Sequence, residues 1–285
     1  MQSASSPRPE HVFRSAVARG LRAAAGLAFL LAAGCTVFDR PSNNRDWSPD
    51  QAVLPYAEVT DDRVAVHNIR NCTYLSADSY VLNYYDRTYD LRDVESVDYI
   101  LVPFRGMPSV AHTMLSFGLT NGEHLCVSVE IRREKGEAYQ FFNGILNKYE
   151  IMYVLGDERD LVKLRTNYRK DDVYVYRLRA TPDQARAMFV DVMTRVDSLA
   201  AQPEFYNTFT NNCTTNAFDH INHCASGKVP YSMGVLLPGY SDRVIYRAGL
   251  LDTDQPFEEA RRRALVSEKA VQFAESPDFS QAIRR

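Results

Sequence analysis

The chain has 285 residues, a formal net charge of −3 at pH 7 and 45% hydrophobic residues. This length is enough for a sizeable core in one or two domains. A mildly acidic chain with no basic stripe and no nucleic-acid-binding motif has no electrostatic attraction for phosphate backbones. The composition therefore excludes a nucleic-acid partner from the expected functions.

The first 34 residues have the three-part pattern of an export signal. Four arginines between Arg8 and Arg22 give a basic start, and an apolar stretch over 23–34 follows. A bilayer-spanning helix needs roughly 20 apolar residues, so this shorter stretch predicts a cleaved signal rather than a membrane helix. Cys35 then follows Gly34 directly.

The Gly34-Cys35 pair resembles the lipobox of bacterial lipoproteins, in which the cysteine is acylated and becomes the first residue of the mature protein. The resemblance implies that membrane lipid is a partner through Cys35 and that the polar segment 35–55 is a lipid-anchored tether. Thr36, in place of an aspartate, favours the outer membrane. The alternative is an ordinary cleaved signal with an incidental cysteine.

The chain has four further cysteines, Cys72, Cys126, Cys213 and Cys224. They could form two disulfides in three pairings, which an oxidising periplasm would permit. Their spacings match no zinc signature, so we expect no metal site.

Strand signals dominate the middle of the chain. Runs rich in β-branched and aromatic residues predict six strands. These are 62–69, 97–104, 110–119, 124–132, 150–155 and 173–179. Asn121-Gly122, between the third and the fourth, predicts that these two strands pair as an antiparallel hairpin.

Helical segments accompany these strands. The sequence Thr181-Pro182-Asp183-Gln184 contains a capping residue, a first-turn proline and a capping-box glutamine, and apolar residues at helical spacing follow it. The predicted helices are 182–200, 137–148, 213–223 and 256–273. The predicted fold class is α+β, a mainly antiparallel sheet with packed helices, over 56–250. Residues 251–285 are predicted to be a C-terminal amphipathic helix and a polar tail.

An Asn-rich turn precedes Cys213. Asn211 or Asn212 is suited to cap the next helix, which would place Cys213 in its first turn. The positive end of the helix dipole lowers a thiol pKa and favours the nucleophilic thiolate. Asn211, Asn212 and Thr214 are therefore expected to shape a catalytic site around Cys213. A disulfide with Cys224, or simple burial, is the alternative.

His112 is the preferred base for this thiolate. It begins an apolar strand, and an imidazole on a rigid strand opposite a helix-N-terminal cysteine is the geometry of papain-like enzymes. His220 and His223 would share the helix of Cys213, and one helix cannot easily direct both groups at one substrate atom.

A third residue would orient the imidazole. Ser128, Glu130 and Arg132 alternate along the returning strand. A hairpin loop of odd length would place them on the face of His112, whereas a two-residue turn would place the apolar residues between them there. Glu130 is the preferred third member, His124 and Ser128 are the alternatives, and Arg132 is expected to shape the site.

Five stretches resemble, in the same order, the Lnb N-terminal periplasmic domain family. They are 111–117, 128–134, 156–160, 206–216 and 237–242. The resemblance spans roughly 45–250, and the cysteine motif with its upstream histidine is the most specific part. It implies a circularly permuted, papain-like core related to NlpC-type peptidases and LRAT-type acyltransferases, in which the histidine also precedes the cysteine.

The family's namesake is an N-acyltransferase that completes lipoprotein acylation and carries a transmembrane portion after this domain, whereas residues 251–285 have no long apolar run. The resemblance therefore implies acyl chemistry more firmly than a substrate. We expect a cysteine-dependent acyltransferase or hydrolase that needs no cofactor and forms a thioester from a donor such as phospholipid or a lipoprotein. The alternatives are a peptidoglycan amidase or peptidase and a non-catalytic lipoprotein.

Two further expectations concern the surroundings of the site. The charged residues of 157–160 and Arg165 are expected to form an ion-pair cluster on the surface, and the alternative is a polar network near the site. The apolar segment 236–240 could line an acyl groove or pack in the core. Backbone N–H groups at the start of the 213–223 helix are the expected oxyanion donors.

Overall fold

The computed structural model describes residues 40–285, apart from 139, 140, 226, 231 and 232. The predicted signal and Cys35 therefore lie outside the described residues. Within the described part, the chain forms ten strands. They are β1 (Tyr56–Val59), β2 (Arg63–Arg70), β3 (Thr73–Tyr74), β4 (Tyr80–Val81), β5 (Tyr84–Asp90), β6 (Val94–Phe104), β7 (Met107–Leu119), β8 (His124–Arg132), β9 (Glu150–Asp157) and β10 (Tyr174–Arg177).

Eight of these strands form one sheet in the order β1-β2-β9-β8-β7-β6-β10, with β5 paired to β2 outside this path. Every recorded pairing within it is antiparallel except that of β2 with β9. All six predicted strands are present, and β8 has the predicted bounds. The mixed α+β class is confirmed. The sequence analysis missed β1 and β5, whose polar and aromatic residues mask the strand pattern.

Nine α-helices lie in the described part of the chain. They are α1 (Phe141–Ile145), α2 (Glu158–Lys163), α3 (Pro182–Ala201), α4 (Cys213–Cys224), α5 (Met233–Leu236), α6 (Ser241–Arg247), α7 (Phe257–Ala264), α8 (Ser267–Gln272) and α9 (Phe279–Ala282). A π-helical turn, Leu164–Tyr168, continues α2. The capping box that predicted α3 is formed as expected. The predicted 137–148 helix is limited to α1, and Asn147 beyond it has a left-handed φ of 53°.

Helices cover both faces of the sheet. One face packs against α3 and α4 through residues such as Phe189 and Phe218, and the other packs against the C-terminal helices through Val266 and Phe279. Double coverage explains why β6 to β9 are apolar almost continuously rather than alternating. A polar group on these strands must therefore find a partner inside the protein.

The β7–β8 hairpin has a loop of odd length. Leu119 and Glu123 pair across a three-residue loop, in which Gly122 has a φ of +83° and its N–H donates to the Leu119 carbonyl. The recorded register runs from Gly118 opposite His124 to Met114 opposite Ser128. This register places the even-numbered residues of both strands on one face, which is the arrangement that favours Ser128 and Glu130 as neighbours of His112.

The predicted tether is shorter than expected, because the compact unit begins at Ser42 rather than at residue 56. Trp47 is buried, and the Arg132 guanidinium lies 4.2 Å from its ring centroid. Arg132 also donates hydrogen bonds to the carbonyls of Gln51 and Ala52. A polar composition had predicted a free segment, but its backbone carbonyls are bound by a buried arginine.

The C-terminal region also differs from the prediction. The expected helix over 256–273 is divided into α7 and α8, because Leu265 pairs with Tyr174 at the edge of the sheet and Val266 donates to the Val173 carbonyl. The expected polar tail is folded. Arg284, the penultimate residue, is bound to the buried carboxylates of Asp98 and Glu158.

Candidate functional site

Cys213 is the first residue of α4, and its N-cap is Asn212. The Asn212 Oδ1 accepts hydrogen bonds from the N–H groups of Thr214 and Thr215, at 2.8 and 2.9 Å. This capping box places the Cys213 thiol in the first helical turn, as the sequence predicts. It also corrects one expectation, because the N–H groups of Thr214 and Thr215 are bound by Asn212 and do not point to an oxyanion.

His112 brings its imidazole to this thiol from β7. Its Nε2 lies 2.6 Å from the Ser128 Oγ and 3.3 Å from the Glu130 Oε1. The Ser128 hydroxyl in turn donates to the same Glu130 oxygen at 2.6 Å. His112 and Cys213 line the same cavity, and each lies close enough to the other to shift its pKa. The structure thus joins Cys213, His112, Ser128 and Glu130 in one chain of contacts.

Arg165 completes this chain from the π-helical turn after α2. Its Nη2 donates to the Glu130 carboxylate at 2.9 Å and lies 3.4 Å from the Ser128 Oγ, while its Nη1 donates to the Leu161 carbonyl. Arg165 is almost fully buried, with 3% of the residue exposed. A buried arginine that is bound to a carboxylate and a backbone carbonyl fixes the carboxylate in position.

The protonation of the pair follows from these neighbours. Burial alone would raise the pKa of Cys213, but the hydrogen bond with His112 and the imidazolium charge outweigh it and lower that pKa to about 7. Burial would lower the pKa of His112, but the Glu130 charge raises it to about 9. The pair therefore favours thiolate and imidazolium together near neutral pH.

Glu130 stays ionised in this setting. Burial would raise its pKa, but the charges of His112 and Arg165 and the hydrogen bonds from His112 and Ser128 hold it well below the usual range. The imidazolium consequently has a permanent negative neighbour.

A cavity of about 440 Å³ opens onto Cys213 and His112. Half of its described lining is apolar: Phe104, Val110, Ala111, Val129, Ile131, Leu164, Tyr206, Phe209, Leu236, Leu237 and Pro238. The 236–240 segment thus contributes three residues to the cavity wall. The charged side chains of Asp50, Arg70, Arg133 and Arg169 lie in the same lining.

Of the remaining predicted site residues, Thr214 contacts the Cys213 thiol, whereas Asn211 and Arg132 support neighbouring segments. Asn211 supports the turn, because its amide donates to the Phe205 carbonyl and accepts from Asn216. Thr214 is buried, and its Oγ1 lies 3.9 Å from the Cys213 Sγ and 3.4 Å from the Thr113 Oγ1. Arg132 holds the 42–52 segment and is not in the cavity lining.

His124 lies at the opposite end of β8 from Glu130. Its Nε2 is 3.7 Å from the Asp98 carboxylate, and the residue lines a different cavity together with Gln281. His220 and His223 bind the Asp191 carboxylate, and His220 also contacts the Tyr153 hydroxyl. These three histidines are therefore not brought to Cys213.

The four cysteines in the described part of the chain, which include Cys213 and Cys224, all have free thiols. In the described part of the chain, no group of three or more His, Cys, Asp or Glu side chains could hold a metal ion. The same part contains no helix that is long and apolar enough to cross a membrane.

For Arg165 the alternative prediction, a polar network near the site, is the one that the structure bears out, and the preferred surface cluster is wrong. Glu158, Asp160 and Arg165 are almost fully buried rather than on the surface. Their ion-pair partners lie 35 to 126 positions away in the sequence. These partners are Glu130, Arg70 and Arg284. The local signal was that Arg165 directly follows Leu164 in a stretch that also contains Leu161 and Val162.

Fold and site together define a mixed α+β protein in which a helix-N-terminal cysteine meets a strand histidine beside an apolar-lined cavity. The model of the Lnb N-terminal periplasmic domain family matches residues 80–239, more than half of the chain and both residues of the pair. The chain therefore belongs to this family. Its periplasmic assignment fits a location in the cell envelope that faces the periplasm. No curated protein and no solved structure matches the chain.

Proposed function

We propose that this protein is a cysteine-dependent acyltransferase or hydrolase that acts on ester or amide bonds in the envelope. One observation carries the proposal: the Cys213 thiol, at a helix N-terminus, lies beside His112, whose ring contacts Ser128 and Glu130, and Arg165 holds the Glu130 carboxylate. A nucleophile, a base and an orienting carboxylate in contact are the requirements for covalent acyl transfer. On this proposal the core is also a permuted relative of papain-like enzymes.

On this proposal, each group has a role in the reaction. The Cys213 thiolate attacks the carbonyl carbon of the donor, and the His112 imidazolium gives its proton to the departing alcohol or amine as the thioester forms. The neutral His112 then takes a proton from an acceptor amine or water, whose attack releases the acyl group and restores the thiolate. Because Thr214 and Thr215 are engaged by Asn212, the Cys213 N–H is the donor left in that turn for the oxyanion.

The cavity lining favours an acyl chain over a glycopeptide. Eleven apolar residues line the space next to Cys213, and burial of a methylene group contributes about 0.8 kcal/mol. The acyl chain of a donor such as phospholipid or a lipoprotein would pack against these apolar side chains, whereas a muropeptide would leave them without an apolar partner. Peptidoglycan cleavage is therefore the second candidate function.

The membrane anchor is part of the same proposal. An acylated Cys35 would precede the first residue of the folded unit, Ser42, by seven positions, so the connecting chain would reach roughly 25 Å at most. Such a tether would hold the cavity at a high effective concentration of acyl donors in the membrane, the outer membrane on this proposal.

Mass spectrometry of the Cys213 peptide tests the chemistry directly. After incubation of the full chain with phospholipid, we expect a fatty-acyl adduct on Cys213, and iodoacetamide at pH 7 should alkylate this thiol first. The Cys213→Ser variant should lose activity by at least about a thousandfold.

Cys224 provides the matched control, because it is a free, half-buried thiol at the other end of the same helix. The Cys224→Ser variant should keep the adduct and the activity. An unreactive Cys213, or an active Cys213→Ser variant, would refute the enzyme proposal. Cleaved muropeptides without an acyl adduct would replace the acyl donor with peptidoglycan.

A further inference from the structure

Large apolar side chains are exposed around the mouth of the cavity. Phe104, Met107, Phe209, Leu236 and Tyr240, together called the apolar rim, are each between 41% and 58% exposed. Phe104, Phe209 and Leu236 also line the cavity. Apolar groups gathered around one opening are unusual on a monomer surface and indicate an interaction site.

Three segments that are far apart in sequence build this rim. Phe104 and Met107 face each other across the β6–β7 hairpin. Tyr240 is beside them because Gly239 packs against the backbone of Pro108, so closely that a Cβ atom on Gly239 would lie 1.8 Å from the Pro108 carbonyl oxygen. The fold therefore requires glycine at this position, and the close approach brings two exposed apolar surfaces together.

Positive charge accompanies the rim. In the cavity lining, Arg70 and Arg165 are bound to Asp160 and Glu130, and the remaining charged side chains there are those of Arg133, Arg169 and Asp50, which sum to a positive charge. Arg105 lies in the hairpin between Phe104 and Met107 and is exposed, with Asp171 as its acidic neighbour. Arg169 is also exposed at the cavity and faces Arg165, Glu130 and Asp171.

We propose that the apolar rim docks on the surface of a lipid bilayer that contains anionic headgroups, with the rim side chains at the level of the acyl chains. Aromatic and aliphatic side chains next to arginines are the composition of segments that bind membrane interfaces. A second copy of the chain fits less well, because a two-fold contact would bring two positively charged cavity mouths together. This docking does not depend on the reactivity of Cys213.

Photolabelling identifies the side chains that enter the bilayer. The full chain is mixed with vesicles of phosphatidylethanolamine and phosphatidylglycerol that carry a trace of phospholipid with a diazirine in its acyl chain. Labelled residues are mapped by mass spectrometry after irradiation. We expect labels on Met107 and Tyr240 as well as on Phe104, Phe209 and Leu236, and several times fewer with phosphatidylcholine vesicles. The position of the label, rather than its amount, separates docking from anchoring at Cys35.

Variants define the part of the surface that is responsible. The Met107→Ser/Tyr240→Ser double variant should lower labelling of the remaining rim residues by at least about fivefold. Val271→Ser removes an equally exposed valine from α8, outside the rim, and should leave labelling unchanged. Thermal unfolding followed by circular dichroism should give the same Tm for both variants and the parent.

Three results would overturn the proposal. Labels confined to cavity-lining residues, with none on Met107 or Tyr240, would mean that lipid enters the cavity without docking of the rim. Equal rim labelling with phosphatidylcholine vesicles would remove the anionic partner. A concentration-dependent dimer that shields the rim would replace the membrane with a second copy. The Cys213→Ser variant should label as the parent does, so that failure of docking and failure of the proposed chemistry are separate outcomes.

Discussion

Two buried clusters of arginine and carboxylate lie at opposite ends of β8, and they differ in where they end. In one, Arg165 binds Glu130, which is joined through Ser128 to His112. In the other, Arg284 binds Glu158, whose carboxylate accepts a 2.6 Å hydrogen bond from Ser116. Both use a guanidinium, a carboxylate and a serine hydroxyl.

The first cluster contacts His112, which lies beside the Cys213 thiol and the cavity, whereas the second cluster is enclosed inside the protein. Glu158 and Asp98 are almost completely inaccessible, and the partner that neutralises both is the Arg284 guanidinium from the end of the chain. Arg284 and burial have opposite effects on Glu158: burial raises its pKa, and the Arg284 charge lowers it to about 2. The comparison indicates that the same groups stabilise the fold where they are enclosed and support a reactive pair where a nucleophile and space adjoin them.

Arg284→Met should give the largest effect and break the second cluster alone. Removal of the guanidinium leaves Glu158 buried without its cation, which should lower the free energy of unfolding by about 3 kcal/mol, roughly a hundredfold in the unfolding equilibrium. Urea denaturation measures this change. Arg285→Met is the control, because its pair with Asp278 is exposed and screened by water and should contribute little to stability. Equal losses in both variants would contradict a locking role for Arg284.

His112→Gln should break the first cluster. Without the imidazolium, burial dominates and the pKa of Cys213 returns to at least its ordinary value of 9.0. The thiolate fraction at pH 7 then falls from about one half to about one hundredth, so alkylation should slow about 50-fold. Rates of iodoacetamide alkylation between pH 5 and 10 measure the change. In the parent chain the midpoint should lie near pH 7, and a midpoint near 9 would argue against the ion pair.

Glu130→Gln and Glu158→Gln compare the two carboxylates directly, and the expected effect on alkylation of Cys213 is smaller than that of His112→Gln. Loss of the Glu130 charge lowers the pKa of His112, so the imidazolium stabilises the thiolate less and alkylation of Cys213 at pH 7 should slow about tenfold. Glu158→Gln keeps the alkylation rate, since Glu158 has no contact with the pair. The same iodoacetamide assay separates them, and a slower rate in the Glu158 variant would mean that the clusters are coupled.

Local patterns in the sequence were enough to predict the elements that carry the site. The capping box at Thr181 and the Asn before Cys213 predicted the starts of α3 and α4, because caps depend on neighbours in the chain. The bounds of β8 were also predicted, because its strand pattern and the preceding Asn121-Gly122 turn are local in the sequence. His112, Ser128 and Glu130 could be placed together once the hairpin parity was considered, although the choice between odd and even loops needed the structure.

Contacts between distant residues could not be predicted in this way. Arg165 meets Glu130 across 35 positions, and Arg284 meets Asp98 across 186. From their sequence neighbours alone, both arginines would be predicted to lie on the surface. Burial of an arginine depends on a carboxylate partner, which only the tertiary fold supplies. The division of the C-terminal helix at Leu265 has the same origin, because strand pairing with Tyr174 overrides helix propensity.

The three-residue loop between β7 and β8 has a consequence for the tolerance of this protein to change. Side chains alternate along a strand, so removal of one residue from 120–122 would shift the pairing by one and direct Val129 and Ile131, rather than Ser128 and Glu130, toward His112. Apart from Gly122, with its left-handed φ, substitutions in the loop leave that parity intact. A single deletion at the surface could thus disable a buried site whose every residue is unchanged.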